Sequence, residues 1–457
     1  MTPGLYRLVT RCAVPLAKLY LRKRAKKQPD YLLHWDERFA ETAYPAPCAP
    51  RLWVHAVSVG ETNAAAPLIE ALMKRFDRAE LLLTCMTPTG RDAGRKIVGR
   101  YPGRAVQCYL PYDVPEFVEK FLEETRPTMG ILMETEVWPN LIAAAKARGI
   151  PMVLANARES QKSSDKAEGF DRVMRPAFAA FDAVLAQSEA DAARLIRRGA
   201  RKDVVTVAGS LKFDVPVNAA AQATAAVFKA QRLNPVVLIA STRDGEEAMF
   251  APLLKRFQGK AAVLLVPRHP QRFNDVAEIL AKENVPFVRR SAYATPTDIS
   301  ADAAVILGDS MGEMAFYCAA ADVTLMGGSF GNTGCQNLIE PAAAGSPVIL
   351  GPSVYNFAKI SEDAVAMGAA LPTTDAAEGV TAALRLIDDA QELRRRHEAA
   401  LAFARRYTGA AAVMSDVCAQ LWPENGDPKW HDEFPTVFRL PAWILRAAPG
   451  CSPTSRR

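Results

Sequence analysis

Two long stretches of this sequence alternate short β-branched runs with amphipathic helical patterns. The first begins near residue 51 and the second near residue 235, and the alternation lapses between them, over 213–233. Strands that alternate with helices form parallel sheets whose two faces are covered by the helices. A chain of 457 residues also exceeds the roughly 250–300 residues at which one core stops growing. The sequence therefore predicts two successive α/β domains.

The same patterns predict where the elements lie. Amphipathic helices are expected between the strands, for example over 61–76 and 189–198. Because open parallel sheets bind ligands outside the carboxyl ends of their strands, we expect the functional residues directly after the strands. The predicted strands are 52–58, 80–86, 105–110, 129–133, 151–155, 183–187, 204–208, 235–240, 261–266, 303–307, 322–326 and 347–350.

The net charge of +6 is confined to the first 40 residues, which carry nine basic and three acidic side chains. A nucleic-acid-binding protein more often spreads its basic surface over the fold, so no nucleic-acid partner is predicted. Residues 5–21 are apolar but include Arg7, Arg11 and Lys18, which disfavours a membrane-spanning helix. With RKRAKK following at 22–27, the pattern favours a helix lying on an anionic membrane surface. A solvated basic arm is the alternative.

Common cofactor motifs are absent from the sequence. It has no G-x-G-x-x-G in a strand-turn-helix setting, no Walker A sequence, no H-E-x-x-H and no D-x-D. The first two absences argue against a dinucleotide-dependent or P-loop enzyme. The last leaves a metal-held nucleotide sugar without an obvious pair of ligands. With no common cofactor or metal motif in the sequence, the function must come from the segments at the strand ends.

Three segments of the first half carry candidate catalytic groups. Glu61 opens the helix after strand 52–58, where a carboxylate can act as a general base or simply complement the helix dipole. Glu134 and Glu136 follow strand 129–133, and in an extended segment they would point the same way. Lys212 closes this half, where it can neutralise a carboxylate or phosphate, or be solvated.

Four segments of the second half lie where predicted strands end. Such segments can be turn chemistry alone, since Gly, Ser and Asn recur in turns for backbone reasons. Four of them at one edge of a sheet favour a nucleotide site, with arginine and histidine on phosphate and a glutamate on the ribose hydroxyls. They are Arg268 and His269; Met311, Gly312 and Glu313; Gly327, Gly328 and Ser329; and Asn337, Leu338, Ile339 and Glu340.

Taken together, the ordered motifs resemble those of the bacterial Kdo transferases, which attach 3-deoxy-D-manno-octulosonic acid (Kdo) to the lipid A precursor. The resemblance extends from the N-terminal segment to about residue 420. The motifs include HAVSVGET (55–62), METEVWPN (133–140), GSLKFD (209–214), PRHPQRF (267–273), GDSMGE (308–313) and NLIEPAAAG (337–345).

The resemblance implies an α/β fold of the GT-B type, with two Rossmann-like domains facing a central cleft and an N-terminal membrane-associated helix. The residue pattern predicts a basic membrane-associated segment (1–40), a linker (213–233) and an extension of unknown role (424–457) that has no counterpart in the family. The resemblance makes 41–212 the acceptor-binding domain and 234–423 the CMP-sugar-binding domain.

It also implies an inverting, metal-independent transfer of Kdo from CMP-Kdo to lipid IVA at the cytoplasmic face of the inner membrane. Glu61 would be the general base, and Glu134 and Lys212 would stabilise the transition state. CMP would be bound by Arg268, His269, Met311, Gly312, Glu313, Asn337, Leu338, Ile339 and Glu340. Another GT-B glycosyltransferase, a UDP-sugar epimerase and an inactive membrane scaffold are the alternatives. The chain departs from the family pattern at Arg243, Gln336 and Ser353, where many members have histidine.

Overall fold

The structure is a computed structural model that describes residues 1–159, 171–214 and 218–423. The predicted extension at 424–457 lies outside the described residues. The strands are β1 (Arg51–His55), β2 (Glu80–Cys85), β3 (Ala105–Tyr109), β4 (Met129–Met133), β5 (Met152–Ala157), β6 (Ala183–Ala186), β7 (Val205–Val207), β8 (Val236–Thr242), β9 (Ala262–Pro267), β10 (Val288–Arg289), β11 (Val305–Leu307), β12 (Val323–Met326), β13 (Val348–Leu350) and β14 (Ala370–Pro372).

Helices connect these strands and cover both faces of each sheet. In the part of the chain described, they are α1 (Pro3–Cys12), α2 (Val14–Ala25), α3 (Trp35–Arg38), α4 (Val59–Arg75), α5 (Pro88–Val98), α6 (Pro115–Thr125), α7 (Pro139–Ala147), α8 (Asp171–Ala179), α9 (Glu189–Arg198), α10 (Ala219–Ala230), α11 (Glu246–Phe250), α12 (Phe273–Lys282), α13 (Met314–Ala320), α14 (Ile339–Ala343), α15 (Ala358–Ala366), α16 (Ala376–Asp388), α17 (Ala390–Tyr407) and α18 (Ala410–Leu421).

The described residues form two parallel sheets of seven strands each. The first has the order β3-β2-β1-β4-β5-β6-β7 and the second β10-β11-β9-β8-β12-β13-β14. In each sheet the chain adds strands on one side of its first strand and then crosses to the other side, so β1 lies beside β4 and β8 beside β12. Ligands of open α/β sheets bind at such switch points. The predicted fold class, two Rossmann-like α/β domains, is confirmed.

Burial explains why these segments form central strands. Leu52, Trp53 and Val54 in β1 are all fully buried, and so are Val237, Leu238 and Ile239 in β8. A strand covered on both faces needs apolar side chains at successive positions, as these continuous runs provide. Each sheet accordingly has one hydrophobic cluster on each face.

The N-terminal helices pack on the first domain. The Tyr6 hydroxyl donates to Asp113 Oδ2 at 2.8 Å, and Arg11 forms an ion pair with Glu116 at 2.5 Å. Leu21 and Phe39 are buried in a separate small cluster beneath α2. None of the helices in the described ranges is long and apolar enough to cross a bilayer.

The segment 213–233, predicted as a linker, contains helix α10. Phe228 of this helix is fully buried in the core of the second domain and contacts Phe316 edge to face, with ring centroids 5.3 Å apart. The helix is rich in alanine, so its buried and exposed faces differ little in hydrophobicity and the sequence shows no clear helical periodicity there. Most of this segment therefore belongs to the second domain.

Helix α18 returns from the second domain to the core of the first. Met414 and Cys418 are fully buried there beside α4, and the Trp422 ring stacks on Phe76 with centroids 4.2 Å apart. The buried Asp214 carboxylate accepts the backbone N–H groups of two residues at the start of α18, Gly409 and Ala411. The end of the segment predicted as the CMP-sugar-binding domain thus completes the first domain.

We expect Met414→Ala to lower the free energy of unfolding by about 2–5 kcal/mol, the usual cost of removing a buried methionine side chain. The matched control is Val413→Ala, whose side chain is 40% exposed and whose loss should change stability by about 0.5 kcal/mol or less. Urea unfolding followed by tryptophan fluorescence measures both. Equal small effects would contradict the packing of α18 on the first domain.

Candidate active site

Glu61 lies in the first turn of α4, directly after the turn that follows β1. Ser58 caps this helix, and its hydroxyl accepts the backbone N–H of Glu61 at 3.4 Å. The Glu61 carboxylate folds back over the turn, where Oε2 accepts the backbone N–H of Val57 at 2.6 Å. Burial, together with the charge of Glu134, raises the pKa of Glu61 above its ordinary value.

Glu134 follows β4, the strand beside β1, so the two carboxylates meet at the switch point of the first sheet. It is only 3% exposed, and its Oε2 accepts from Arg158 Nε at 2.7 Å. Its φ of 56° lies in the left-handed region, which non-glycine residues rarely adopt and which often marks functional sites. The expectation that Glu134 and Glu136 lie in an extended segment is wrong, because the chain turns sharply at Glu134.

Glu136 is the third carboxylate of this cluster. Its Oε2 accepts from Trp138 Nε1 at 2.7 Å. Burial raises the pKa of Glu136 to about 7, helped by the charges of Glu61 and Glu134 and opposed by the hydrogen bond from Trp138. Near neutral pH this carboxyl group is protonated in about half of the molecules, since its pKa is then close to the pH. The cluster can therefore hold or release a proton at neutral pH.

Lys212 is exposed on a short 3-10 turn over Leu211–Phe213. Leu211 is buried beneath it, and the Leu211 N–H donates to Asn156 Oδ1 at 3.0 Å. Together with Gly60, Lys212 lines a cavity of about 330 Å³ beside α4. The ammonium group is thus placed near the helix start that carries Glu61.

A second group of predicted residues meets at the carboxyl end of the second sheet. His269 is exposed, and its Nε2 lies 3.1 Å from Arg243 Nη1. A small desolvation effect and then the charges of Arg243, Arg268 and Arg272 lower the pKa of His269. Burial raises the pKa of Glu340, and the charge of Arg268 opposes that shift. Arg268 influences the charge of both His269 and Glu340, so these three residues lie in one region of the second domain.

The other predicted donor residues are placed less uniformly. Met311 is 67% exposed and Gly312 has a φ of 82°, whereas Glu313 accepts from Arg290 Nη2 at 2.7 Å. Asn337 Oδ1 accepts the N–H of Ile339 at 3.1 Å and so supports the start of α14. The side chains of Leu338 and Ile339 are fully buried. Neither of these two side chains is therefore accessible to a ligand.

The sequence analysis assigned no role to three residues near these groups. Arg158 pairs with Glu134, Arg243 contacts His269, and Glu246 is a fully buried carboxylate beside the glycine-rich loop 327–331. A usable signal for Glu246 was its position just after a strand that ends at a switch point. The sequence around it, DGEE, otherwise looks like an exposed helix start, because glutamate is rarely buried.

Comparison with known proteins identifies the family. Residues 33–215 match the model of the family described as 3-deoxy-D-manno-octulosonic-acid transferase (kdotransferase). The chain is 43% identical to the 3-deoxy-D-manno-octulosonic acid transferase of Bordetella pertussis over 91% of its own length and 98% of the relative's. The chain belongs to the Kdo transferase family. The enzyme of the same name from Haemophilus influenzae is 32% identical over 84% of this chain and 90% of the relative.

Membership of this family confirms that the chain is a glycosyltransferase that acts in lipopolysaccharide biosynthesis by Kdo transfer. Among solved structures, the fold is similar to that of a UDP-GlcNAc 2-epimerase from Neisseria meningitidis. That likeness has a TM-score of 0.53 at 13% identity and covers 81% of this chain and all of the epimerase. At this identity it shows the shared fold alone. The roles predicted for individual site residues of this Kdo transferase remain predictions.

The raised pKa of Glu136 predicts that the free energy of unfolding depends on pH. Because folding raises the pKa of Glu136 from 4.5 to about 7, its charge penalises the folded state at pH 8, and the penalty fades as the pH falls through 7 towards 4.5. We expect Glu136→Gln, whose amide oxygen can still accept from Trp138, to raise the free energy of unfolding by about 2 kcal/mol at pH 8 and far less at pH 5.

Urea unfolding at pH 5 and pH 8 measures this difference. The control is Glu123→Gln, at an exposed site on α6 of the same domain, which should show no comparable change between the two pH values. A gain of the same size at both pH values would contradict the raised pKa of Glu136.

Proposed function

We propose that this Kdo transferase transfers Kdo from CMP-Kdo to the lipid A precursor lipid IVA with inversion at the anomeric carbon, and that Glu61 is the general base. The observation that carries the proposal is the meeting of Glu61, Glu134 and Glu136 at the switch point of the first sheet, in a chain of this family. A carboxylate cluster at a sheet switch point in which the pKa values of two members, Glu61 and Glu136, are raised is typical of a catalytic site.

In the proposed step, Glu61 takes the proton from an acceptor hydroxyl as that oxygen attacks the anomeric carbon of Kdo. The new bond forms on the face opposite the phosphate, and CMP leaves with the electron pair of the broken bond. The raised pKa of Glu61 makes it a stronger base than an ordinary carboxylate.

Charges placed around the reacting atoms would stabilise the transition state. The leaving phosphate needs positive charge, which Lys212 and Arg268 can supply from exposed positions at the ends of the two sheets. Arg158 holds Glu134 in a fixed orientation, so the Glu134 carboxylate can stabilise the positive charge that develops on the sugar ring. The half-buried carboxylate of Glu340, which lies near Arg268, is suited to the ribose hydroxyls.

We also propose that the enzyme acts at the cytoplasmic face of the inner membrane, with its N-terminal helices on an anionic surface. Leu5, Leu8 and Val9 form an exposed stripe on α1, and Leu16 and Leu19 form another on α2; each is 47–67% exposed. Exposed apolar stripes at helical spacing beside cationic residues are suited to the interface of an anionic bilayer. The cations RKRAKK at 22–27 immediately follow these stripes.

The mechanism predicts that Glu61→Gln lowers transfer by about 10²–10⁴-fold, the usual contribution of a general base, and leaves CMP affinity unchanged. Glu189→Gln is the matched control, because Glu189 also lies in the first turn of a helix capped by serine after a strand of the same sheet. The assay measures CMP release from CMP-Kdo with and without tetraacylated lipid A precursor, in EDTA, with mass spectrometry of the lipid.

Equal activity in the two variants would mean that Glu61 only complements the helix dipole, and the base would then be sought at Glu134 or Glu136. A wild-type protein that binds CMP but releases none from CMP-Kdo would support the scaffold alternative. The mass added to the lipid counts the Kdo units transferred.

The membrane proposal predicts that Leu16→Glu/Leu19→Glu lowers cosedimentation with phosphatidylglycerol vesicles at least tenfold, since each leucine buried in the bilayer is worth about 1.5–3 kcal/mol. The control is Leu233→Glu, at a fully exposed leucine of the second domain. Point variants are preferable to deletion of 1–40, which would also remove the buried Leu21 and Phe39. Unchanged binding of the double variant would refute the proposed surface.

A further inference from the structure

Glu246 is a buried carboxylate at the carboxyl end of the second sheet, and the mechanism above gives it no role. It is 0% exposed and accepts four backbone N–H groups. Oε2 accepts from Arg243 at 2.8 Å and Gly328 at 2.7 Å. Oε1 accepts from Phe330 at 2.9 Å and Gly331 at 3.1 Å. One carboxylate therefore joins the turn after β8 to the loop after β12, across the switch point of this sheet.

The loop 327–331 has the form of an anion cradle, and Glu246 fills it. Backbone N–H groups that converge on one point bind phosphate in many proteins. Here those of Gly328, Phe330 and Gly331 already donate to the chain's own carboxylate, so they are not free for a donor phosphate. Glycine is needed at this point of the loop, because Gly328 has a φ of 79° and a Cβ there would collide with the carbonyl oxygen of Gly334.

The negative charge of a bound nucleotide must then be neutralised by cationic side chains at the ends of the neighbouring strands. Among the residues described, no carboxylate lies within salt-bridge distance of Arg243 or Arg268, whereas Arg272 is paired with Asp244 and Glu247. The half-buried Arg243 side chain reaches His269, and its backbone N–H is one of the four groups on Glu246. The carboxylate of Glu246 thus fixes the turn from which the Arg243 guanidinium extends.

We propose that Glu246 is a positioning residue of the donor site: it serves as an internal anion that shapes the glycine-rich loop and fixes the turn of Arg243, whose guanidinium binds the donor phosphate. This inference rests on the proposed use of CMP-Kdo. It also gives a role to arginine at a position where the sequence departs from the family pattern.

The test compares Glu246→Ala with Asp322→Ala in the full-length enzyme, with CMP as the probe in calorimetry well below the unfolding temperature. Asp322 is a matched control, since it also accepts a backbone N–H, from Val236 at 2.8 Å, and pairs with Lys229 at 2.5 Å. It lies at the amino ends of β8 and β12, far along the strands from the switch-point loops. Both variants should lose stability.

We expect the Kd for CMP to rise at least tenfold in Glu246→Ala and to stay within twofold of wild type in Asp322→Ala. Formate added to Glu246→Ala should restore CMP binding, because its carboxylate can occupy the vacated cradle, and it should not affect Asp322→Ala. Arg243→Gln should also weaken CMP binding at least tenfold, with little loss of stability. If Glu246→Ala does not fold, Glu246→Gln replaces it, since the amide presents an N–H group to two of the four donors.

Unchanged CMP affinity in the Glu246 variants, a loss of equal size in Asp322→Ala, or no rescue by formate would overturn the positioning role. A wild-type enzyme that does not bind CMP would instead refute the donor assigned under the proposed function. The two failures are therefore distinguishable in one experiment.

Discussion

Turns between strands and helices leave backbone N–H groups without partners, and in this protein buried carboxylates accept them. Asp113 accepts the N–H groups of Asn140 and Leu141, Asp214 those at the start of α18, and Glu246 those of two loops in the second domain. A buried N–H group without an acceptor is costly, so each carboxylate stabilises the geometry of a whole turn. The edges at which the sites lie are rigid for this reason.

The carboxylates of the candidate active site accept fewer backbone N–H groups than these buried carboxylates do. The carboxylate of Glu136 accepts one indole N–H and that of Glu61 accepts one turn N–H, and the cluster gathers like charge in a half-buried place. The raised pKa values of Glu61 and Glu136 reflect an unfavourable electrostatic energy of their charged forms, which the fold tolerates. An acceptor hydroxyl that gives up its proton, or a positive charge developing on a sugar ring, relieves part of that energy. Reactivity and local instability therefore have the same electrostatic origin.

Local patterns predicted the strands and helices best where burial is continuous or strongly amphipathic: 129–133 coincides with β4 and 189–198 with α9. The missed strands, β10 and β14, are the two edge strands of the second sheet and are only partly buried, so they lack the continuous apolar run of the central strands. Because parallel strands end at one edge, the meeting of Glu61 and Glu134 was also predictable. The burial of Glu246, the turn at Glu134 and the return of α18 depend on contacts between distant segments, which no local pattern records.

The return of α18 has a consequence for how the protein is made. The first domain lacks Met414 and Cys418 of its core until α18 has left the ribosome, although its own seven strands are complete by Val207. During synthesis, the surface of α4 that α18 covers stays exposed until some two hundred further residues have been made. Folding of the two domains is thus coupled in time, and a nascent chain halted between them would display apolar surface to chaperones and proteases.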